Sequence, residues 1–312
     1  MKIKSIDIVP KTAFKSGWDT QRIWDWFQSV RLSHLLTAMA DVLAGYLIIA
    51  GSDFRLSLIA PLLLSAGCLT AAGSILNELQ AMQDGRQEPG PLPFRQGVLL
   101  CLALFGSGLG AASMAGGVAL LGAVVVTGHM AAYYLFFKSG TILGPAAMGL
   151  FRAEFLFLGM APVVSGANMV MLLPLLTFGY VFLLAFLEQQ EAREEPSFSG
   201  RWITVGAAVL YLALFGLVAV HFLKFDALPF LLLLLLFTGP ALFRCFLRPR
   251  SLPSRSTANV LLFGIPLLSA VYVAGVQGWL FGIPVALFIL PGFWLFWKRR
   301  GDKQTSIPDG EG

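Results

Sequence analysis

The chain has very little with which to meet water. Only 12% of its 312 residues are charged, while 57% are hydrophobic. A soluble domain of this size needs a polar exterior that this composition does not supply, so a soluble fold is excluded. Cysteine is equally sparse. Cys68, Cys101 and Cys245 sit in or at the end of apolar stretches, without the spacing of a disulfide framework or a thiolate metal site. They read as small core residues. Alternation of apolar and polar residues is missing too, which excludes a membrane β-barrel. The first 30 residues lack the apolar core of a cleavable signal. No basic tract stands out: the cations are scattered among short segments between apolar runs, which excludes a nucleic-acid surface.

What the chain does have is apolar length. Ten stretches, 31–51, 57–80, 97–115, 117–137, 141–163, 168–188, 202–222, 228–246, 258–276 and 279–297, each suffice for an α-helix to cross a hydrocarbon core of about 30 Å. Backbone in lipid must satisfy its own hydrogen bonds, so these are expected to be helices. Nineteen of the 22 Lys and Arg residues fall at the N-terminus, the even-numbered loops and the C-terminus. The opposite loops carry only Arg55 and Lys224, and Arg152 lies inside a stretch. Cations favour the cytoplasmic side, so both termini and the even loops are expected there. The expectation is an all-α polytopic protein of nine to ten spans, in a bacterial inner (cytoplasmic) membrane. An interfacial segment (1–30) with Trp24 and Trp26 would precede the helical domain (31–298), and a polar tail (299–312) would follow it.

The odd loops are very short, with Gly116-Gly117 and Gly166-Ala167 as tight turns and a join near Gly275–Gly278. Polar substance therefore collects on the cytoplasmic face. That suits an enzyme working between bilayer and cytoplasm better than a transporter open to both sides. Small residues crowd stretches 2 to 5, as in Ala71-Ala72-Gly73-Ser74 and Gly106-Ser107-Gly108, and permit close helix packing in lipid. The run Leu231 to Leu235 reads as lipid-facing, with the core built from stretches 1 to 6.

Polar groups near or within spans are functional candidates. One cluster ends the second stretch, where Asn77, Ala81 and Asp84 share a helical face. Another ends the sixth, where Glu188 and Glu191 share a face and Glu195 follows Glu191 by one turn. Carboxylates at two helix ends suit Mg²⁺, a hard cation that shares oxygen ligands with phosphate. Lys138 offers a point charge to a diphosphate, or snorkels at a span end. Arg152 and Glu154, two residues apart, cannot face one another. Arg152 is expected to point into the bundle, with Asp41 pairing to it or to a nearby hydroxyl. His34 and His129 show no metal spacing and read as hydrogen-bonded structural residues.

The order of these features resembles the UbiA superfamily of intramembrane prenyltransferases. The matching features are an Asn and acids ending helix 2, the Pro-rich Pro89-Gly90-Pro91-Leu92-Pro93, Tyr134-x-x-x-Lys138, and acids ending helix 6. Arg31 opening Val30-Arg31-Leu32-Ser33-His34, Asp41 to Tyr46, and Gly144-Pro145 through Arg152 to Gly159 also fit, in a branch that includes the EboC type. The resemblance covers residues 28 to 300. It implies a helical ring around a central cavity in which Mg²⁺ binds an isoprenyl diphosphate, and in which an acceptor captures the allylic cation. By that resemblance the Mg²⁺ ligands are Asn77, Glu78, Asp84, Glu188 and Glu191. Asp84 and Lys138 are the catalytic candidates, and Arg31, Asn77, Tyr134, Lys138 and Arg152 are the substrate-binding ones.

The chain also departs from the family pattern. Glu78 and Ala81 stand where the first motif has Asp, Asp84 comes one residue early, the Pro-rich loop lacks its Arg, and the second motif carries Glu for Asp. Two functions follow as expectations. One is Mg²⁺-dependent transfer of an isoprenyl group to an aromatic or lipid acceptor in the membrane. The other is a non-catalytic relative that binds or moves a lipid-like molecule with its metal motifs decayed.

Overall fold

Glycine sets several of the helix boundaries. The computed structural model describes residues 32–83, 94–137, 142–163, 169–193, 200–247 and 255–291. The first helix, α1 (Leu32–Ala50), ends where Gly51 takes a φ of 53°. Gly116, at φ 127°, is the single residue between α3 (Phe94–Ala115) and α4 (Gly117–Ala132). Gly278, at φ 112°, likewise separates α9 (Arg255–Gln277) from α10 (Trp279–Ala286). Positive φ is strained for any residue with a Cβ, so these breaks are written into the sequence. The remaining helices are α2 (Leu56–Gln83), α5 (Leu143–Met160), α6 (Leu173–Arg193), α7 (Gly200–Ala219) and α8 (Leu228–Leu247).

The described residues contain helices and turns but no strands. Among the described residues, eight helices are long and apolar enough to cross a membrane: α1, α2, α3, α5, α6, α7, α8 and α9. The chain is an integral membrane protein with the polytopic all-α architecture expected from its sequence. Of the ten stretches, the fourth is α4 plus a π-helical turn over Tyr133–Phe137, and the last is short and apolar. Lipid contributes no hydrophobic drive between helices, so the exposed Leu102, Leu212 and Leu236 are the exterior such a protein needs.

Each helix from α1 to α8 packs on the next, and α9 returns to α1, which closes a ring. Its interior is crossed by direct contact of α1 with α5 and of α6 with α9. The first crossing is a backbone contact. A Cβ on Gly45 would strike the Leu156 carbonyl oxygen, and one on Gly159 would strike that of Val42. Here the small residues do what small residues do in lipid, letting two helices approach until their backbones touch. Gly73 and Gly108 pack tightly against Met130 and Leu69, whereas Gly106 and Gly110 face open space.

Two expectations about the core are corrected. The most enclosed span is α9, with 83% of its apolar window buried against 28% for α3 and 33% for α7 and α8, so the core is not confined to stretches 1 to 6. The leucine run of α8 is divided by helical periodicity. Leu231 and Leu234 are fully buried while Leu232, Leu233 and Leu235 face out.

Polar ties fasten the end opposite the basic loops. The Gln277 amide donates to the Ile48 carbonyl at 2.7 Å, joining α9 to α1. The Arg55 N–H donates to Tyr46 Oη at 2.8 Å, and the Lys224 N–H donates to the Gly275 carbonyl at 2.6 Å. Replacing Gly159 with Val should destabilise the protein by about 3 kcal/mol through overpacking. Reversible denaturation in detergent micelles measures this, and a loss within 0.5 kcal/mol would show that α1 and α5 do not meet through these glycines.

Candidate functional site

One face of α2 carries Thr70, Gly73, Ser74 and Asn77, at offsets of three, four and seven residues. That face lines a cavity closed by His34 of α1, His129 and Met130 of α4, Tyr133 and Tyr134 of the π turn, and Met148, Phe151 and Arg152 of α5. About 600 Å³ of empty space lies within, counting its open mouth and the solvent there. The contributing helix ends are those joined by the basic loops, so by charge the cavity belongs to the side expected to be cytoplasmic. It is lodged among α1, α2, α4 and α5, to one side of the α1–α5 crossing.

The back wall is a buried ion pair. Arg152 Nη1 donates to Asp41 Oδ2 at 3.3 Å, with the side chains 5% and 0% exposed. Arg152 Nη2 donates to Thr37 Oγ1 at 2.6 Å and to the His34 carbonyl at 3.3 Å. Ser269 of α9 donates to Asp41 Oδ1 at 2.8 Å. Both alternatives foreseen for Asp41 are thus realised together, an arginine on one oxygen and a hydroxyl on the other. An unpaired charge in lipid would be expensive, and here each is met by its opposite and by hydroxyls. Glu188 of α6 stands within electrostatic reach of the same guanidinium.

The front of the cavity is aromatic and held by a backbone irregularity. The π turn carries Tyr133 and Tyr134, whose rings meet edge to face at 4.9 Å. Gln80 of α2 donates to the Tyr134 carbonyl at 2.8 Å. A π turn leaves the usual helical bonding pattern, and such turns cluster at functional sites. Thr70 Oγ1 is buried in the wall with no hydrogen-bond partner among the described residues. An unmet hydroxyl in a cavity is available to a ligand or water.

The structure therefore brings Asn77, Tyr134 and Arg152 to one cavity. Glu78, roughly 100° further round α2, is not among the lining residues. Arg31, Asp84 and Lys138 lie outside the described residues, as does the side chain of Glu191. Sequence reasoning missed Thr70, Ser74, Tyr133 and Phe151. The helical spacing of Thr70 and Ser74 from Asn77 was the available signal, and in the sequence Ser74 reads as part of a packing stripe.

The described lining does not fit Mg²⁺. It offers one amide, hydroxyls, two imidazoles and a guanidinium, where Mg²⁺ asks for carboxylate and phosphate oxygens. Among the described residues no three His, Cys, Asp or Glu side chains gather.

No protein-family model matches the chain, and no curated protein matches it by sequence. Solved structures do match in three dimensions. A digeranylgeranylglyceryl phosphate synthase superposes with a TM-score of 0.60 at 15% identity, covering 82% of this chain and 99% of that one. A UbiA homologue from Aeropyrum pernix K1 gives 0.59 at 15% identity over 76% and 96%. A UbiA homologue from Archaeoglobus fulgidus, solved with GPP and Mg²⁺, gives 0.52 at 14% identity over 84% and 99%.

Removing Asp41 alone, as in Asp41→Ala, should cost about 3–5 kcal/mol by stranding a buried guanidinium. Adding Arg152→Met in the same chain should recover part of that loss. Equilibrium unfolding of both variants is the check, and a double variant no more stable than the single one would show that the pair is not coupled. With its closed ring of helices, its crossing at α1 and α5 and these neighbours over three-quarters or more of its length, the chain has the UbiA fold.

Proposed function

We propose that the chain belongs to the UbiA superfamily in function as well as fold. On this reading it takes an isoprenyl diphosphate into the cavity and transfers the isoprenyl group to an aromatic or lipid acceptor within the membrane. The observation that carries this reading is a polar, aromatic-walled cavity in a bundle that buries mainly apolar side chains. A protein of the same fold has been solved with GPP and Mg²⁺.

The residues suit the task. The Asn77 amide and the unpartnered Thr70 hydroxyl donate hydrogen bonds to diphosphate oxygens, while the Ser74 hydroxyl already donates to the Thr70 carbonyl at 3.0 Å. Arg152 adds positive potential from behind, its charge shared with Asp41. Ring faces of Tyr133, Tyr134 and Phe151 favour an allylic cation. Arg31 and Lys138 are proposed as further diphosphate cations. Mg²⁺ would neutralise the leaving diphosphate, with Asn77, Glu78, Asp84, Glu188 and Glu191 as its proposed ligands. No step is assigned to the ion, because the described lining does not fit it. The proposed site of action is the cytoplasmic leaflet of a bacterial inner membrane.

A second reading is favoured by the lack of a carboxylate among the described lining residues. It is a non-catalytic relative that binds or moves a lipid-like molecule. Purified protein in lipid nanodiscs, given allylic diphosphates of increasing chain length with and without Mg²⁺, separates the two. Transfer should require Mg²⁺, Asn77→Ala should lower it by about tenfold or more, and Asp84→Ala should abolish it. Full activity in Asp84→Ala would remove that residue from the site. Metal-independent binding without turnover would establish the second reading, and no binding at all would sink both.

A further inference from the structure

His129 and Glu154 form a dyad that the cavity displays from one side only. His129 Nδ1 lies 3.0 Å from Glu154 Oε1. The two side chains are 13% and 14% exposed. The imidazole is part of the cavity wall while Glu154 is not, so the carboxylate stands behind the ring. Phe151 meets the imidazole edge to face at 6.3 Å and restrains its plane. The other titratable or charged groups that share the cavity with it are His34 of α1, Arg152 of α5, and Tyr133 and Tyr134 of the π turn. Glu154 Oε2 is buried with no hydrogen-bond partner among the described residues.

A carboxylate that accepts from Nδ1–H would hold the imidazole proton there and leave the Nε2 lone pair unprotonated. A carboxylate behind an imidazole that faces a reaction space is the arrangement by which a base is oriented. Packing alone does not call for it. A half-satisfied carboxylate in a membrane bundle costs free energy that an apolar pair would not.

We infer that His129 is the general base that takes the acceptor's proton, that Glu154 positions it, and that the acceptor is a hydroxyl compound. This rests on the prenyl-transfer reading above. A ring carbon attacked by an allylic cation becomes so acidic that any weak base removes its proton. A neutral hydroxyl gains nucleophilicity by losing its proton as it attacks, and a dedicated base serves that case. In the step, the allylic C–O bond breaks and the diphosphate leaves with the electron pair. The acceptor oxygen bonds to the allylic carbon, giving an ether, and its proton passes to His129 Nε2. The imidazolium keeps its Nδ1–H on Glu154 and later returns the extra proton to water.

The chain has three histidines, so ¹⁵N-histidine NMR of the full chain in nanodiscs, assigned with His129→Gln, reads the tautomer directly. His129 should be protonated at Nδ1 and bare at Nε2, and Glu154→Gln should shift it toward the Nε2–H form. Finding Nε2–H in the unaltered protein would overturn the inference, whether or not any variant folds. The kinetic arm uses geranyl diphosphate with 1-naphthol, which offers both an oxygen and a ring carbon. If 1-naphthol is refused, geraniol formed with water as the hydroxyl acceptor is measured instead. The expected product is the ether. His129→Gln should lower kcat by about 100-fold or more, with KM for the diphosphate held within about threefold, and Glu154→Gln should lower kcat by about tenfold. Ring-carbon product would overturn the hydroxyl acceptor, a His129→Gln protein as fast as its parent would overturn the dyad's role, and either would leave prenyl transfer standing. A parent protein that binds no diphosphate would overturn both.

Discussion

Much of this molecule hangs on the Asp41–Arg152 pair. It sits where α1 and α5 cross, with Ser269 drawing in α9. Two opposite charges at that depth are tolerated only together, since either alone would be stranded in a medium that cannot solvate it. Their pairing selects a register for three helices at once. Van der Waals packing between smooth apolar helices does this poorly, because neighbouring registers offer similar contact. The glycine crossing at Gly45 and Gly159 supplies the closeness and the ion pair supplies the choice. The same guanidinium then forms part of the cavity wall, so the feature that orders the fold also gives the cavity its positive potential.

The distribution of burial follows from that centre. The α9 helix, placed between α1, α6, α8 and α10, is enclosed. The α3, α7 and α8 helices stand outside and present leucine and valine to lipid. The cavity lies off the ring's axis because α1 and α5 occupy the middle. Its contributing side chains come from the bodies of α2 and α5, from the ends of α1 and α4, and from one π turn where backbone regularity is interrupted.

The spans were legible because lipid demands a crude signal, about twenty apolar residues in a row, and basic residues between them mark one side. Arg152 pointing inward and pairing with Asp41 was legible for the same reason, since burial in hydrocarbon leaves a charge few options. The dominance of α9 was not. Its sequence is no more apolar than that of α8, and which helix is surrounded depends on tertiary packing alone. The His129–Glu154 contact was illegible because it joins two helices at positions 25 residues apart, and neither residue carries a local motif. The π turn was hidden as well, because Tyr133 to Phe137 reads as ordinary apolar helix. For Asn77 the resemblance pointed to the helix face that lines the cavity, while Glu78 showed that adjacency in sequence does not place a side chain in the same cavity.

The single-residue joint at Gly116 bears on how the protein is made. The α4 helix runs straight into its π turn, and one glycine leaves no slack for it to wait outside while α3 settles. The two are therefore expected to enter the bilayer as one hairpin. A residue with a side chain at that joint would therefore be felt first during insertion at the ribosome-bound translocon, before any tertiary contact exists.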